Sequence, residues 1–274
     1  MWDTESRAFG IGWNHPYDIL PIGSRNPYTY VDLIMPDGDT IHYARISDGT
    51  GYADAVYEHT ATMTPFLRST FLWNGTGWDL RFADGALFLF PENYGGTRPH
   101  HGAPTAMEDG HGHAIQFRRD RDRNLEQITS PSGHVIRLEH DDRSRVISAV
   151  DELGRIVRYT YDARGNLATV RDGERVTHYS YIDSNLISIA TSVVPAASSG
   201  SATTSRASTT PDDSTTDFRL RVQYFDGRVS ALTLADGRSF HFRFSVPADS
   251  TVVSEATVIA PDGSQNRIAM HPRP

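Results

Sequence analysis

The sequence contains no cysteine and no lysine. The first absence excludes disulfides, thiolate nucleophiles, zinc ribbons and iron–sulfur clusters, while leaving the compartment open. The second makes all 26 basic residues arginine, to which no functional weight attaches. Against them stand 34 acidic residues and a formal charge of -8, so the basic footprint of a duplex-binding protein is missing and nucleic acid is not an expected partner. Long apolar runs are missing too, and none approaches the ~20 residues of a spanning helix. The opening Met1-Trp2-Asp3-Thr4-Glu5-Ser6-Arg7 has neither the basic nor the apolar region of a secretory signal. No segment of ten residues keeps helical periodicity.

Turns and alternation are what the chain does have. Asp-Gly pairs recur at Asp37-Gly38, Asp84-Gly85, Asp109-Gly110, Asp172-Gly173, Asp226-Gly227, Asp236-Gly237 and Asp262-Gly263, each a hairpin signal. Runs such as Thr40 to Ile46 and Ser239 to Phe244 alternate with period two and are rich in aromatic and β-branched residues, which predicts strands. The reading is all-β.

Repetition organises the middle of the chain. Gly112, Gly133 and Gly154 lie 21 residues apart, as do Phe117, Leu138 and Tyr159, then Asp120, Asp141 and Asp162, then Leu125, Val146 and Leu167. A fourth, slipped unit carries Gly173, Tyr179, Tyr181 and Leu186. Each unit reads as strand, turn, strand, with Tyr159 and Tyr161 on one face and with Gly165 and Asn166 expected in left-handed conformations after Asp162. So short a unit cannot bury its own apolar face, and hairpins must pair edge to edge into a curved antiparallel sheet. Four regions follow: a cap over 1–106, which shields the array's first edge; the hairpin array over 107–190; a Ser/Thr-rich loop over 191–217; and continuing hairpins over 218–274.

Few residues invite chemistry. His100, His101, His111 and His113 cluster around Asp109; Asp109, His111 and His113 are a weak metal-site candidate, with both imidazoles on one face if the segment is a strand. Gly10-Ile11-Gly12-Trp13 lacks the third glycine of a dinucleotide fingerprint. The carboxylate pairs Asp79 with Asp84 and Asp141 with Asp142 have nothing to mark them as convergent, and the repeat aspartates are accounted for by turn chemistry. Arg118 to Arg123 is a basic run whose alternating acids suit an outward strand face. Trp73 and Trp78 flank an Asn-Gly turn as a candidate stacking platform for sugar rings, with burial the competing role. No catalytic residue and no cofactor is expected.

The stretch Tyr159-Thr160-Tyr161-Asp162-Ala163-Arg164-Gly165-Asn166-Leu167 resembles the YD-repeat pattern of rearrangement-hotspot (Rhs) proteins. Phe117-Arg118-Arg119-Asp120 and Leu138-Glu139-His140-Asp141 keep its Asp and lose one or both aromatics. Phe9-Gly10-Ile11-Gly12-Trp13-Asn14-His15-Pro16-Tyr17-Asp18 is similar to the family's amino-terminal region. The resemblance implies a non-enzymatic piece of a shell whose repeats enclose an effector, with the rest of the shell or that effector as partner. It also implies a secreted or cell-surface setting. The family's closing core motif and an effector domain are not found, so a partial shell with an open, self-associating sheet edge is expected. The alternatives are an adhesion-type module binding glycans or proteins and, third, a glycan hydrolase.

Overall fold

The computed structural model describes residues 6–93, 99–194, 217–248, 250 and 252–270. Among them the secondary structure is β apart from one 3-10 turn, Pro99–Gly102, and no helix is long and apolar enough to cross a membrane. The chain divides into two compact units, Met1–Tyr159 and Thr160–Pro274. In the first, successive strands from Leu20–Gly23 to Ile156–Tyr161 each pair antiparallel with the next. In the second, the same meander runs from Leu167–Asp172 to Gln265–Ala269.

One turn builds most of these hairpins. Residue X donates its N–H to the carbonyl of X+4, while the N–H of X+3 returns to the carbonyl of X. This occurs with X at Met35, Phe82, Asp109, Asp120, Ser130, Asp141, Asp151, Asp162, Leu234 and Ala260. It is the three-residue hairpin loop, a type I turn closed by one left-handed residue. Within the array these turns begin alternately eleven and ten residues apart, which is the origin of the 21-residue period. The left-handed residue at X+3 is Gly112, Gly133, Gly154 or Gly165, but also Arg123 (φ 65°) and Ser144 (φ 63°). Asn166 departs from expectation. The loop needs a single left-handed residue, Gly165 supplies it, and Asn166 instead enters the next strand fully buried. Asp183-Ser184 and Asp226-Gly227 form the tighter two-residue loops, both residues left-handed.

The expected regions need two corrections. The border at 106/107 falls inside Ala106–Glu108, which pairs with Leu87–Pro91 on one side and Ala114–Arg119 on the other. The amino-terminal hundred residues therefore continue the ladder rather than covering its edge. The period is lost there because Met35 and Phe82 start the turn and the aspartate moves to X+2, where the Oδ1 atoms of Asp37 and Asp84 accept from the X+4 N–H. Second, Asn185–Val193 carries strand pairing three residues into the predicted loop and Asp217, its last residue, pairs with Thr191; residues 195–216 lie outside the described residues.

The first unit has two larger cores beside a small cluster of Leu20, Ile34 and Ala103. Val31, Leu33, Tyr43, Tyr57, Phe71, Leu80 and Phe90 form one. Phe117, Leu125, Leu138 and Val146 form the other, and these are four of the in-phase repeat positions. Across its face runs the segment 6–18. Phe9 packs on Tyr159 at 4.9 Å between ring centroids and Tyr17 on Phe117 at 4.7 Å, while the Val146 N–H donates to the Ala8 carbonyl at 2.7 Å. The true cover of the repeats is this strap, which closes an apolar face.

Candidate functional site

The repeat aspartates serve turn geometry. Asp141 Oδ1 accepts from the N–H groups of Arg143 and Arg145, and its Oδ2 from the Arg145 guanidinium at 2.6 and 2.9 Å. Asp162 does the same with the N–H groups of Arg164 and Asn166 and the Asn166 amide. Burial pushes both carboxyls up, but these donors outweigh it and hold both below the ordinary carboxylate range. Asp120 repeats the pattern through Asn124. Along Ile156–Tyr161, exposure alternates, with Val157, Tyr159 and Tyr161 half-buried and Arg158 exposed.

The weak metal candidate dissolves into such a turn. His111 and His113 lie in the loop between strands, so strand alternation does not place them. Asp109 Oδ1 accepts from both backbone N–H groups and Oδ2 meets His113 Nδ1 at 2.9 Å. The His113 ring and those N–H groups pull Asp109 down to about 2. Among the described residues no three His, Cys, Asp or Glu side chains are grouped to hold a metal; His100 and His101 sit in the 3-10 turn. Trp78 stacks on Phe71 at 5.3 Å and 9° and packs on the first core, while Trp73 stands edge-on between Trp78 and Tyr52. This is a packed aromatic cluster. Asp79 is buried and bonded to Asn74 and Arg81, and Asp84 belongs to its own turn.

The chemistry missed by local reading lies at one end of the second core. The turns starting at Asp120 and Asp141 meet the strap and the 3-10 turn around a cavity of about 490 Å³, lined by Arg7, His15, Asp18, His100, Arg119, Arg123, His140, Asp142 and Arg143 among others. Asp18, nearly inaccessible, accepts from Arg7 at 2.8 and 2.9 Å and from the Asn14 amide at 2.5 Å. Arg119 donates to the carbonyls of Pro104 and Arg123, both at 3.2 Å. Burial lowers His15 to about 4, Asp18 opposing, with Arg119, Arg7 and His140 adding to the drop. Burial likewise lowers Arg119 to about 10, again opposed by Asp18. His15 Nδ1 and Arg119 Nε are buried with no hydrogen-bond partner among the described residues. The basic run is therefore split: Arg118 faces outward against Glu126, whereas Arg119 and Arg123 line the cavity.

A legible signal for this site did exist. Arg119, His140 and Tyr161 are equivalent positions, each just before a turn aspartate. Two of the three carry a basic or imidazole side chain where the third is aromatic, and both line the same cavity.

These features define a β-hairpin repeat protein, built on one aspartate-anchored loop. Residues 140–177, which span the turns at Asp141, Asp151 and Asp162, match the family model described as RHS Repeat. Among solved structures it is similar to the crystal structure of TcdB2-TccC3-TEV, with 15% identity, a TM-score of 0.36, and coverage of 84% of this chain and 11% of that one. It is also similar to the crystal structure of TcdB2-TccC3, with 12% identity, a TM-score of 0.35, and coverage of 88% and 14%. The chain thus spans about a seventh or less of the length of either. No curated protein matches.

Proposed function

We propose that this chain is a non-enzymatic wall segment, a scaffold of hairpins that joins further RHS-repeat sheet and helps enclose an effector polypeptide. The observation that supports this most is the recurrence of one loop geometry from Met35 to Ser264, which spends the sequence on extending a sheet. The resemblance of the Tyr159–Leu167 stretch to YD repeats supplies the enclosing role. Trp73 and Trp78, the basis for a glycan reading, are engaged with other aromatics. Gln265–Ala269 pairs with Glu255–Ile259 and all five of its residues are exposed, which supports it as the strand to which a further one would add.

Sedimentation velocity of the whole chain over a concentration series tests this. The expected result is reversible association that Ile268→Lys, a charge on the exposed strand, weakens without lowering the melting temperature. A strict monomer at every concentration, or saturable turnover of a glycan from a substrate panel, would overturn the reading.

A further inference from the structure

We propose that the cavity between the Asp120 and Asp141 turns is a binding site for a small molecule carrying a doubly charged oxyanion of the phosphate kind. Charge is the first support. Arg7 and Asp18 neutralise each other; the remaining Arg119, Arg123 and Arg143 outnumber the one further acid of the lining, Asp142, and with Asp120 acting on Arg119 from just outside the surroundings stay net positive even with His15, His100 and His140 neutral. In a chain whose total charge is -8, such a local surplus is not the drift of overall composition.

Placement is the second support. At the repeat position where Tyr161 is aromatic, Arg119 and His140 instead place polar groups at the end of a core, at a cost in desolvation that bare architecture would not require. Arg119 Nε stays buried without an acceptor and His15 Nδ1 without a hydrogen-bond partner among the described residues, and an anion near the Arg119 guanidinium offsets its cost through the field even where it does not touch it. At about 490 Å³ the cavity exceeds a bare phosphate and lies in the range of small-molecule sites. It is bordered by a strap, a 3-10 turn and two loops and opens to solvent at Arg123 and Arg143.

Arg123→Gly and Arg143→Ser together provide the test. Arg123 occupies a left-handed position that glycine fills without strain, and the Arg143 side chain is exposed, its backbone N–H alone serving the turn, so the doubly substituted chain folds. Calorimetric titration with sulfate, inorganic phosphate and a sugar phosphate should show saturable binding by the unaltered chain, weakened about tenfold in the double variant. It should be unchanged in Arg137→Ser, an exposed arginine outside the lining. A sugar phosphate binding tighter than phosphate identifies a phosphorylated metabolite as the ligand class; equal affinity identifies the free anion. The proposal is overturned by no saturable binding, by acetate binding as tightly as phosphate, or by equal weakening in Arg137→Ser. These outcomes are independent of whether the chain associates as a wall.

Discussion

Removing Phe9 and Tyr159 singly and together measures how firmly the amino-terminal strap is locked onto the repeats. The rings lie 4.9 Å apart, and both pack on the cluster of Phe117, Leu125, Leu138 and Val146. Tyr159 is half-buried, so its burial is worth about half of the ~2–3 kcal/mol of a fully covered aromatic. With the lost contacts added, Tyr159→Ala should cost about 2–3 kcal/mol, below the ~3–5 typical of fully buried rings. Phe9→Ala, equally half-covered, should cost about 2 kcal/mol. Because each truncation removes the other's partner, the double variant should fall short of the sum by about 1 kcal/mol, the worth of an aromatic pair. Urea unfolding followed by tyrosine and tryptophan fluorescence gives the four stabilities, and Arg158→Ala, on the exposed face, should lie within about 0.5 kcal/mol of the unaltered chain. Additivity to within about 0.3 kcal/mol would show that the strap is not seated on Tyr159. A cost at Arg158 matching that at Tyr159 would show the strand's faces to be reversed.

Three further outcomes follow from the turns. Ser144→Gly should stabilise by about 0.5–1 kcal/mol and Gly154→Ala should destabilise by about 1 kcal/mol, since both occupy the left-handed site and nothing lies near a Cβ added at Gly154; melting-temperature shifts of the same sign would refute the shared geometry. Gly77→Ala should cost more than Gly154→Ala, because its Cβ would meet the Phe90 carbonyl oxygen at 2.2 Å, and comparable melting temperatures for the two would count against that close approach. Asp141 and Asp162 have folded pKa values depressed below the unfolded value of about 3.9, so their contribution is present above that pH and lost as pH falls through the folded values. Urea midpoints from pH 5 downward should therefore decline below about pH 4, and Asp141→Asn should make the decline shallower; an unchanged slope would mean the carboxylate is not held by Arg145.

The repeat was readable because its positions are chemically constrained. A turn that needs an acceptor at X and a left-handed residue at X+3 selects Asp and Gly, and a one-sided core selects Phe117, Leu138, Leu125, Val146 and Leu167. In the first hundred residues Asp37-Gly38 and Asp84-Gly85 signal hairpins but not the repeat, because an aspartate at X+2 satisfies the loop as well as one at X and the sequence phase is lost though the geometry is not. The cavity was harder still. Its groups come from the strap, a 3-10 turn, two strand ends and two loops, and Arg119 looks in isolation like one more member of a mixed-charge strand. Only its alignment with His140 and Tyr161 marks it.

The alternation of eleven- and ten-residue steps sets the quantum by which such a chain can be lengthened. Twenty-one residues insert one outgoing and one returning strand, so the backbone leaves the added segment at the rim where it entered, heading the same way. A single step would deliver everything downstream to the opposite rim. Duplications and deletions are therefore tolerated as pairs of strands, and a gene for this architecture can gain or shed whole hairpins while the pair Arg119 and His140, both just before loops of the same phase, stays at one rim.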